Sequence, residues 1–520
     1  MDAPAQSVGV KRWARAHPRQ AWGQVVWLLL ILAWGGAGGA ALAWGPLTAR
    51  GPVIILMGIV GAALHGGLWV RQQMALIRGD LSLAMRWFSA LSLAHVTIFL
   101  SVAVVAGVQM HRAGLLLPAS QDRGEAFDQL VRAIGAGYPY FELKQVDWDR
   151  IVEKYRPRVA AADSDEAYYG ALERMLAELN DTHTGLLPST VKHSGCLFAA
   201  TREIEGQALV VAVHGIARRA GVTTGSTVSG VDGQRLEEAL NTLDPRLTVG
   251  SSPQQRRSRA FHYLLQTPYG DRRTVTFETP EGERRTELLV CPGDPAAAQE
   301  AQQRTEPGDR LFGTDRKIVT RRLSSGVGYI AVPTFETDLV AAFDRALDAQ
   351  SDAPGLILDL RANEGGKWSY AHQMAGRLLS EPFSYGRITY ATQLPSRLWR
   401  KRMTFRVKPR APVYTGPVVI LIGEDTLSSA EQFVVSLVDS GRATTVGRTT
   451  GGASGHPVNF RLSGSHVVRF SMASFTRNDG TLIEGVGLVP DVPVAWTVED
   501  LRRGCDPDIE MAERLLLPAD

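Results

Sequence analysis

The stretch LILDLRANEGG, residues 356–366, decides the fold, and the stretch VVILIGEDTLSSAE, residues 418–431, follows the same plan. In each, a short apolar run is followed at once by a turn that contains glycine or serine. Strand and helix patterns alternate around both stretches from about residue 327 to residue 438, and further strand patterns continue to residue 472. This alternation predicts βαβ units and a largely parallel sheet, in which ligands bind at the carboxyl ends of the strands.

The turns after these strands carry the residue types that acyl transfer needs. Gly365 and Gly366 allow backbone N–H groups to approach a ligand closely, and two converging amides stabilise an oxyanion. Ser428 opens a helix, where the macrodipole favours the negative charge of an attacking alkoxide. Each motif also has a purely structural interpretation. The glycines suit a tight strand-to-helix turn, and Ser428 with Glu431 forms the pattern of a capping box.

Taken together, the two stretches resemble the tricorn-core and C-terminal-processing family of serine peptidases, and the resemblance extends over about residues 121–494. Further motifs match in order: GYI at 328–330, DSGRA at 439–443, VG at 446–447 and GLVPD at 487–491. The resemblance implies a crotonase-like α/β catalytic domain, often joined to a PDZ-like module, that cleaves peptides or unstructured protein tails. It also implies that Ser428 is the nucleophile, and that the amide of Ser429 forms the oxyanion hole with that of Gly365 or Gly366.

The general base follows from a comparison of two branches of that family. Processing-type members use a lysine in the region where residues 447–455 read GRTTGGASG, and an arginine there stays protonated and cannot replace it. Tricorn-like members use a histidine from the N-terminal helical region, oriented by a distant glutamate. By resemblance these are His183 and Glu484, with a supporting hydrogen bond from Thr182. An imidazole accepts the serine proton near neutral pH, and a carboxylate holds its tautomer.

Alternatives stay open for both partners of the nucleophile. His456 lies on the loop that would carry the lysine of processing-type members, and it is the rival base. Asp479 and Asp491 lie close to Glu484 in the sequence and compete with it for the role of the orienting carboxylate.

The chain divides into six predicted parts. These are a membrane anchor at 1–112, a helical lead-in at 121–190, a PDZ-like domain at 195–291, a linker at 292–312, a crotonase-like peptidase domain at 313–500 and a C-terminal tail at 501–520. The PDZ-like assignment rests on GIARRAGV at 215–222, Gly225 and VDG at 231–233, and a small β domain with glycine turns is the alternative. A PDZ-like domain captures an extended peptide as an added strand.

The membrane anchor is predicted from three apolar segments, at about residues 21–44, 53–70 and 87–108. A transmembrane helix takes about 20 mostly apolar residues. A buried helical bundle is the alternative interpretation of these segments. Basic residues cluster before the first segment and between the second and third, which predicts a cytoplasmic N-terminus and a catalytic domain outside the cytoplasm. The expected location is therefore the inner cell membrane, in a multi-pass arrangement within the lipid bilayer.

Composition narrows the classes of partner and cofactor. The net charge of +3 is small for 520 residues and gives no reason to expect nucleic acid as a partner. The sequence has no HExxH or CxxC motif, so we expect neither a metal nor an organic cofactor. Three cysteines are present, Cys196, Cys291 and Cys505, and a disulfide between the first two is one of the pairings that they allow.

The sequence therefore predicts a membrane-anchored serine peptidase of the Ser-His-Glu type, which hydrolyses peptides or unstructured protein segments outside the cytoplasm. The first alternative is a non-catalytic peptide-binding scaffold on a degenerate peptidase fold, for which the absent lysine is the main argument. The second alternative is acyl-CoA chemistry, which the crotonase fold also supports. The predicted location and the motif at residues 428–431 count against it.

Overall fold

The computed structural model describes residues 122–191, 195–302, 317–391, 402–462 and 466–518. The three predicted membrane segments lie outside these residues. Within them, no helix is both long and apolar enough to cross a bilayer. The longest of the described helices has 15 residues, whereas a membrane-spanning helix takes about 20. We therefore correct the prediction of a three-helix membrane anchor, and with it the multi-pass location in the inner membrane.

The first part of the described chain, called the lead-in here, consists of three helices and a short strand. Its elements are α1 (Arg123–Gly137), α2 (Trp148–Ala160), α3 (Asp165–Ala177) and β1 (Gly185–Leu187). Asp122, Asp147 and Ser164 cap the three helices, because each side chain accepts a hydrogen bond from a backbone amide of the first turn. The apolar faces of the helices pack into one core, which Val468 and Phe470 complete from far along the chain.

The second part, called the β module here, is an antiparallel sheet with short helices. Its strands are β2 (Gly195–Leu197), β3 (Ala199–Ile204), β4 (Gln207–Val213), β5 (Thr227–Val231), β6 (Gln234–Arg235), β7 (Gln266–Pro268), β8 (Arg272–Glu278) and β9 (Arg284–Val290). Its helices are α4 (Gly215–Arg219), α5 (Leu236–Asn241) and α6 (Pro253–His262). The main sheet has the order β3-β4-β5-β8-β9, with β6 paired to β5. A disulfide joins Cys196 to Cys291. The PDZ-like identity of the module stays a prediction.

The third part, called the α/β domain here, is built on a six-stranded sheet. The first half contributes β10 (Val319–Arg322), β11 (Gly328–Ala331), α8 (Thr337–Asp348), β12 (Leu356–Asp359), α9 (Trp368–Ala375), β13 (Phe383–Tyr390) and β14 (Arg402–Val407). The second half contributes β15 (Val418–Ile422), α10 (Ser429–Val438), β16 (Thr444–Gly447), β17 (Pro457–Arg461), β18 (Val467–Ser471), β19 (Ala473–Arg477), β20 (Val492–Pro493), α11 (Val498–Arg503) and α12 (Pro507–Leu516).

The six-stranded sheet has the order β10-β11-β12-β15-β16-β20, and only the edge strand β10 is antiparallel to its neighbour. The sheet is therefore largely parallel, as the alternating pattern predicts. In β12, Leu356 and Leu358 face one core, and Ile357 faces a second core on the other side of the sheet. Because both faces of the strand are buried, its apolar run is unbroken. The crotonase-like assignment stays a prediction.

Two predicted segments contain more structure than the sequence indicates. The predicted linker begins with a helix, α7 (Pro295–Ala301), and residues 303–312 of it lie outside the described residues. The predicted C-terminal tail is also helical, because Ile509, Ala512 and Leu516 form an apolar face at helical spacing that covers the second face of the main sheet. The tail therefore belongs to the α/β domain, which extends beyond residue 500.

The lead-in and the α/β domain share a sheet. Strand β1 pairs antiparallel with β18, so that Gly185 lies opposite Arg469 and Leu187 lies opposite Val467, and β17 pairs with the other side of β18. The residues just before β1 are consequently held against the α/β domain, which sets the position of the turn at residues 180–184.

The disulfide of the β module gives a stability prediction. The two cysteines are 95 positions apart, and closing so long a loop restricts the unfolded chain. Replacing both Cys196 and Cys291 by alanine should lower the free energy of unfolding by about 2–4 kcal/mol, measured by urea denaturation. The matched control is Cys505→Ser, since Cys505 is a free thiol. An unfolding midpoint that the double variant shares with the control would contradict the prediction.

Candidate active site

Ser428 lies in a strained backbone conformation between strand β15 and helix α10. Its φ of 58° and ψ of −122° are rare for a residue with a side chain. The turn before it, residues 423–427, is anchored because Leu427 N donates to Asn363 O at 3.0 Å and Thr426 Oγ1 donates to Leu360 O at 2.8 Å. Ser428 N itself donates to Ala453 O at 2.9 Å. The anchored turn therefore presents the Ser428 side chain at the start of the helix.

His183 faces this serine, with 2.9 Å between His183 Nε2 and Ser428 Oγ. The two residues are 245 positions apart in the chain. His183 lies in the turn of residues 180–184, called the histidine turn here. Asp181 shapes this turn, because its carboxylate accepts hydrogen bonds from His183 N at 3.0 Å and from Thr184 Oγ1 at 2.7 Å. The structure thus brings together the predicted nucleophile and the predicted base.

Burial decides the charge of the histidine. His183 is 7% exposed, and its burial lowers the pKa to about 4 against the opposing effect of the Asp181 carboxylate. Burial also acts on Asp181, but the charge of Lys144, helped by the hydrogen bond from Thr184, holds the pKa of Asp181 below its ordinary value. His183 is therefore neutral near pH 7, which is the form that accepts a proton.

Among the described residues, Glu484 and Thr182 form no hydrogen bond with the imidazole of His183. The carboxylate of Glu484 lies 2.6 Å from Lys144 Nζ and accepts a hydrogen bond from Ser454 N at 2.7 Å. Thr182 Oγ1 donates to Gln255 Oε1 at 2.6 Å. Among the described residues, none forms a hydrogen bond with His183 Nδ1, which is buried. The sequence therefore identified two residues near the base, but not the contacts that they make.

The rival base makes a different contact. His456 Nδ1 lies 3.0 Å from the hydroxyl of Tyr390, and within the described ranges no hydrogen bond joins His456 to Ser428. Asp479 and Asp491, the competing carboxylates, are bound to Thr481 and Thr445 respectively. Of the two candidate bases, His183 is the one that contacts the nucleophile.

The glycine turn, residues 363–366, lies against the serine. A Cβ atom at Gly365 would be 2.8 Å from Ser428 Cβ, so only glycine fits there. Gly365 N is already occupied, since it donates to Asn363 Oδ1 at 2.8 Å. Gly365 O accepts a hydrogen bond from Phe335 N at 2.8 Å. Gly365 O and Gly366 N belong to the same trans peptide and point in opposite directions, so the N–H group of Gly366 points away from Phe335 N.

These contacts distinguish the three predicted oxyanion donors. In the described part of the chain, the amides of Gly366 and Ser429 donate to no protein acceptor, whereas that of Gly365 does. Ser429 N lies at the first position of helix α10, where an intrahelical acceptor is lacking. Gly366 and Ser429 are therefore the amides that can receive a ligand.

Glu431 has a larger part than the capping pattern predicts. Its carboxylate accepts hydrogen bonds from Ser428 N at 3.1 Å, Gly452 N at 2.9 Å and Ala453 N at 3.0 Å, and also from the hydroxyl of Thr450. Burial raises its pKa to about 7, against these hydrogen bonds. Glu431 caps the backbone of Ser428 while the Ser428 side chain faces His183. The structural and the chemical interpretations of this motif are thus compatible.

Helix α6 of the β module contacts the site at several points, which the sequence did not indicate. Gln255 binds Thr182 in the histidine turn, and Gln254 Nε2 donates to Thr450 O at 2.9 Å. Arg259 forms an ion pair of 3.7 Å with Glu364 in the glycine turn. Such contacts join residues far apart in the chain and leave no local pattern. Over the described ranges, no three His, Cys, Asp or Glu side chains converge as a metal site would require.

Two family models match parts of this chain. Residues 326–494 match the model of peptidase family S41, and residues 119–177 match that of the tricorn protease C1 domain. The putative tricorn protease homolog 2 of Streptomyces coelicolor is 26% identical over 421 residues, which are 77% of this chain and 32% of that protein. The chain therefore spans about a third of the length of that relative.

Two further relatives bear on the family and the fold. The carboxy-terminal-processing protease of Bartonella bacilliformis is 26% identical over 199 residues, which are 36% of this chain and 44% of that protein. The structure of mature CPAF complexed with lactacystin covers 76% of this chain and 97% of its own, with a TM-score of 0.60 and 17% identity, which shows a shared fold. The chain is thus similar to peptidase family S41 over residues 326–494, and to tricorn and carboxy-terminal-processing proteases over the ranges that these relatives match.

Proposed function

We propose that this protein hydrolyses peptides or unstructured protein segments, with Ser428 as nucleophile and His183 as general base. The observation that carries the proposal is the 2.9 Å contact between His183 Nε2 and Ser428 Oγ, made in a strained turn at the start of a helix. A degenerate scaffold has no need to hold these two side chains together. The contact therefore favours a peptidase over a non-catalytic peptide-binding protein.

The first half of the proposed reaction is acylation. Ser428 Oγ attacks the carbonyl carbon of the scissile peptide bond while its proton passes to His183 Nε2. The carbonyl oxygen becomes negatively charged and is stabilised by the amides of Ser429 and Gly366 at the positive end of helix α10. His183 then gives its proton to the leaving amine, and an acyl-enzyme on Ser428 remains.

The second half is hydrolysis of the acyl-enzyme. Water attacks the ester carbon while His183 takes a proton from it, and collapse of the tetrahedral intermediate returns that proton to Ser428 Oγ. The imidazolium form of His183 occurs twice in this cycle. Asp181, whose carboxylate is held in the same turn and stays ionised, is the negative charge that stabilises it. Glu484 keeps a place in the proposal as part of the surrounding network, since its carboxylate binds Lys144 and Ser454.

The two proposed catalytic side chains can be tested directly. Ser428→Ala and His183→Ala should each lower kcat/KM by roughly 10⁴-fold or more, because each removes a group without which the other cannot act. The assay is hydrolysis of an unstructured protein and of a peptide library by the purified protein. His456→Ala is the matched control and should stay within about threefold of the parent rate, because its ring binds Tyr390. Loss of activity in His456→Ala, with a normal rate in His183→Ala, would contradict the assignment of the base.

The burial of His183 predicts the pH profile. Burial disfavours the charged imidazolium and lowers the pKa from 6.5 to about 4, and the base is active only when neutral. The acid limb of kcat/KM should therefore fall near pH 4, well below the value for an exposed histidine. Circular dichroism over the same pH range separates this limb from acid unfolding. An acid limb near 6.5 in a fully folded protein would show that His183 is solvated in the working enzyme.

The close approach of Gly365 to Ser428 predicts that a methyl group added at Gly365 lowers activity. In Gly365→Ala the new Cβ would lie 2.8 Å from Ser428 Cβ, which displaces the neighbouring amides from the nucleophile. We expect kcat to fall by about 100-fold or more, as when an oxyanion donor is lost. Gly480→Ala is the matched control, because Gly480 has a similar φ of +92° but open space around it. Equal kcat values for the two variants would mean that the close approach has no catalytic consequence.

A further inference from the structure

Lys144 is a buried cation beside the site that the proposed mechanism does not use. Its ammonium lies 2.6 Å from Glu484 Oε1 and donates to Asn180 O at 2.6 Å, and its side chain is 7% exposed. It lies on the loop between helices α1 and α2 of the lead-in, outside both the histidine turn and the α/β domain. We propose that Lys144 is a positioning residue that holds the base and the nucleophile in register. This inference rests on the proposed function.

The contact of Lys144 with Asn180 holds the histidine turn in place. Asn180 is the first residue of the histidine turn, and its φ of 46° turns the chain away from helix α3. The carbonyl group that binds Lys144 directly precedes Asp181, which in turn accepts the hydrogen bond from His183 N. The Lys144 ammonium therefore determines where the histidine turn begins.

The contact of Lys144 with Glu484 leads to the backbone around Ser428. Glu484 Oε2 accepts hydrogen bonds from Ser454 N at 2.7 Å and from Ser454 Oγ at 3.3 Å. The residue before it, Ala453, accepts the hydrogen bond from Ser428 N at 2.9 Å. A continuous path of contacts thus leads from the histidine turn through Lys144 and Glu484 to the backbone of Ser428.

The ion pair of Lys144 and Glu484 also has an electrostatic role. Asp181, Glu431 and Glu484 are all 0% exposed, and burying a carboxylate without a counter-charge is costly. Lys144 supplies that charge to Glu484 directly and lies close enough to Asp181 to lower its pKa. It does not replace the lysine base of processing-type relatives, because its ammonium is bound to Glu484 and Asn180 and, within the described residues, forms no contact with Ser428.

Charged or titratable groups on several surrounding elements act on the pKa of His183. They include Asp181 in its own turn, Arg469 on β18, His456 before β17 and Lys144 on the lead-in. The cation of Lys144 disfavours the imidazolium, so its removal should raise the pKa of His183. The removal of this cation therefore moves the acid limb of the pH profile upward.

The test compares four variants of the full chain, namely Lys144→Met, Glu484→Gln, the double variant and Lys154→Met. Lys144→Met should lower kcat by about 10- to 100-fold with little change in KM, and should shift the acid limb of kcat to higher pH. The double variant should recover part of the kcat, since it removes the unpaired carboxyl group, but it should keep the pH shift, since the Lys144 cation is still absent. It should remain slower than Glu484→Gln, because the contact with Asn180 is still lost. Lys154→Met removes an exposed ion pair with Glu178 in the same lead-in and should behave as the parent.

The outcomes separate this inference from the proposed function. If Ser428→Ala is inactive while Lys144→Met keeps the parent kcat and pH profile, the role of Lys144 is disproved and the catalytic proposal stands. A lower thermal midpoint with unchanged kcat and pH profile would reduce Lys144 to a structural residue and also disprove the inference. If Lys144→Met does not fold, the double variant decides, and a kcat equal to that of Glu484→Gln would overturn the inference. An active Ser428→Ala variant would instead overturn the proposed function itself.

Discussion

The pairing of β1 with β18 is the contact on which the active site depends. It is only three residues long, yet it places Leu186 beside Val468 in a shared core and aligns the histidine turn with the α/β domain. Thr184, at the end of that turn, accepts a further hydrogen bond from Ser471 N at 3.3 Å. Since His183 and Ser428 are 245 positions apart, no local geometry brings them together. The site exists because a strand of one part completes a sheet of another.

Local sequence patterns were sufficient for the parts of this protein that local physics determines. Strands β12 and β15 are buried on both faces, so that apolar residues follow one another without interruption. Gly365 marks a place where the backbone must approach Ser428, and the spacing of Ser428 and Glu431 marks the start of a helix. Each of these constraints acts within a few residues of the pattern that reveals it.

Other parts depend on partners that the local sequence does not name. Glu484 was expected to orient the imidazole, but a buried carboxylate goes to the cation that compensates it, and Lys144 comes from another element. Gln255 holds Thr182 for a similar reason, since its buried amide oxygen accepts the hydrogen bond of the Thr182 hydroxyl across two parts of the chain. The helical tail escaped prediction because its apolar face is too short to stand out before the sheet that it covers is known. The apolar segments near the N-terminus matched a bilayer in length, whereas the described helices do not.

The position of helix α12 late in the sequence has a consequence for folding during translation. This helix covers the second face of the main sheet through Ile509, Ala512 and Leu516. All strands of that sheet are synthesised before the helix. Arg361, which follows β12, is likewise neutralised by Asp506 and Asp508 at the start of that helix. While these residues are still inside the ribosome, the second face of the sheet lacks its helical cover, and Asp359 is the counter-charge that Arg361 already has. The nascent chain therefore carries both Ser428 and His183 before the helix that supports the sheet beneath them has been synthesised.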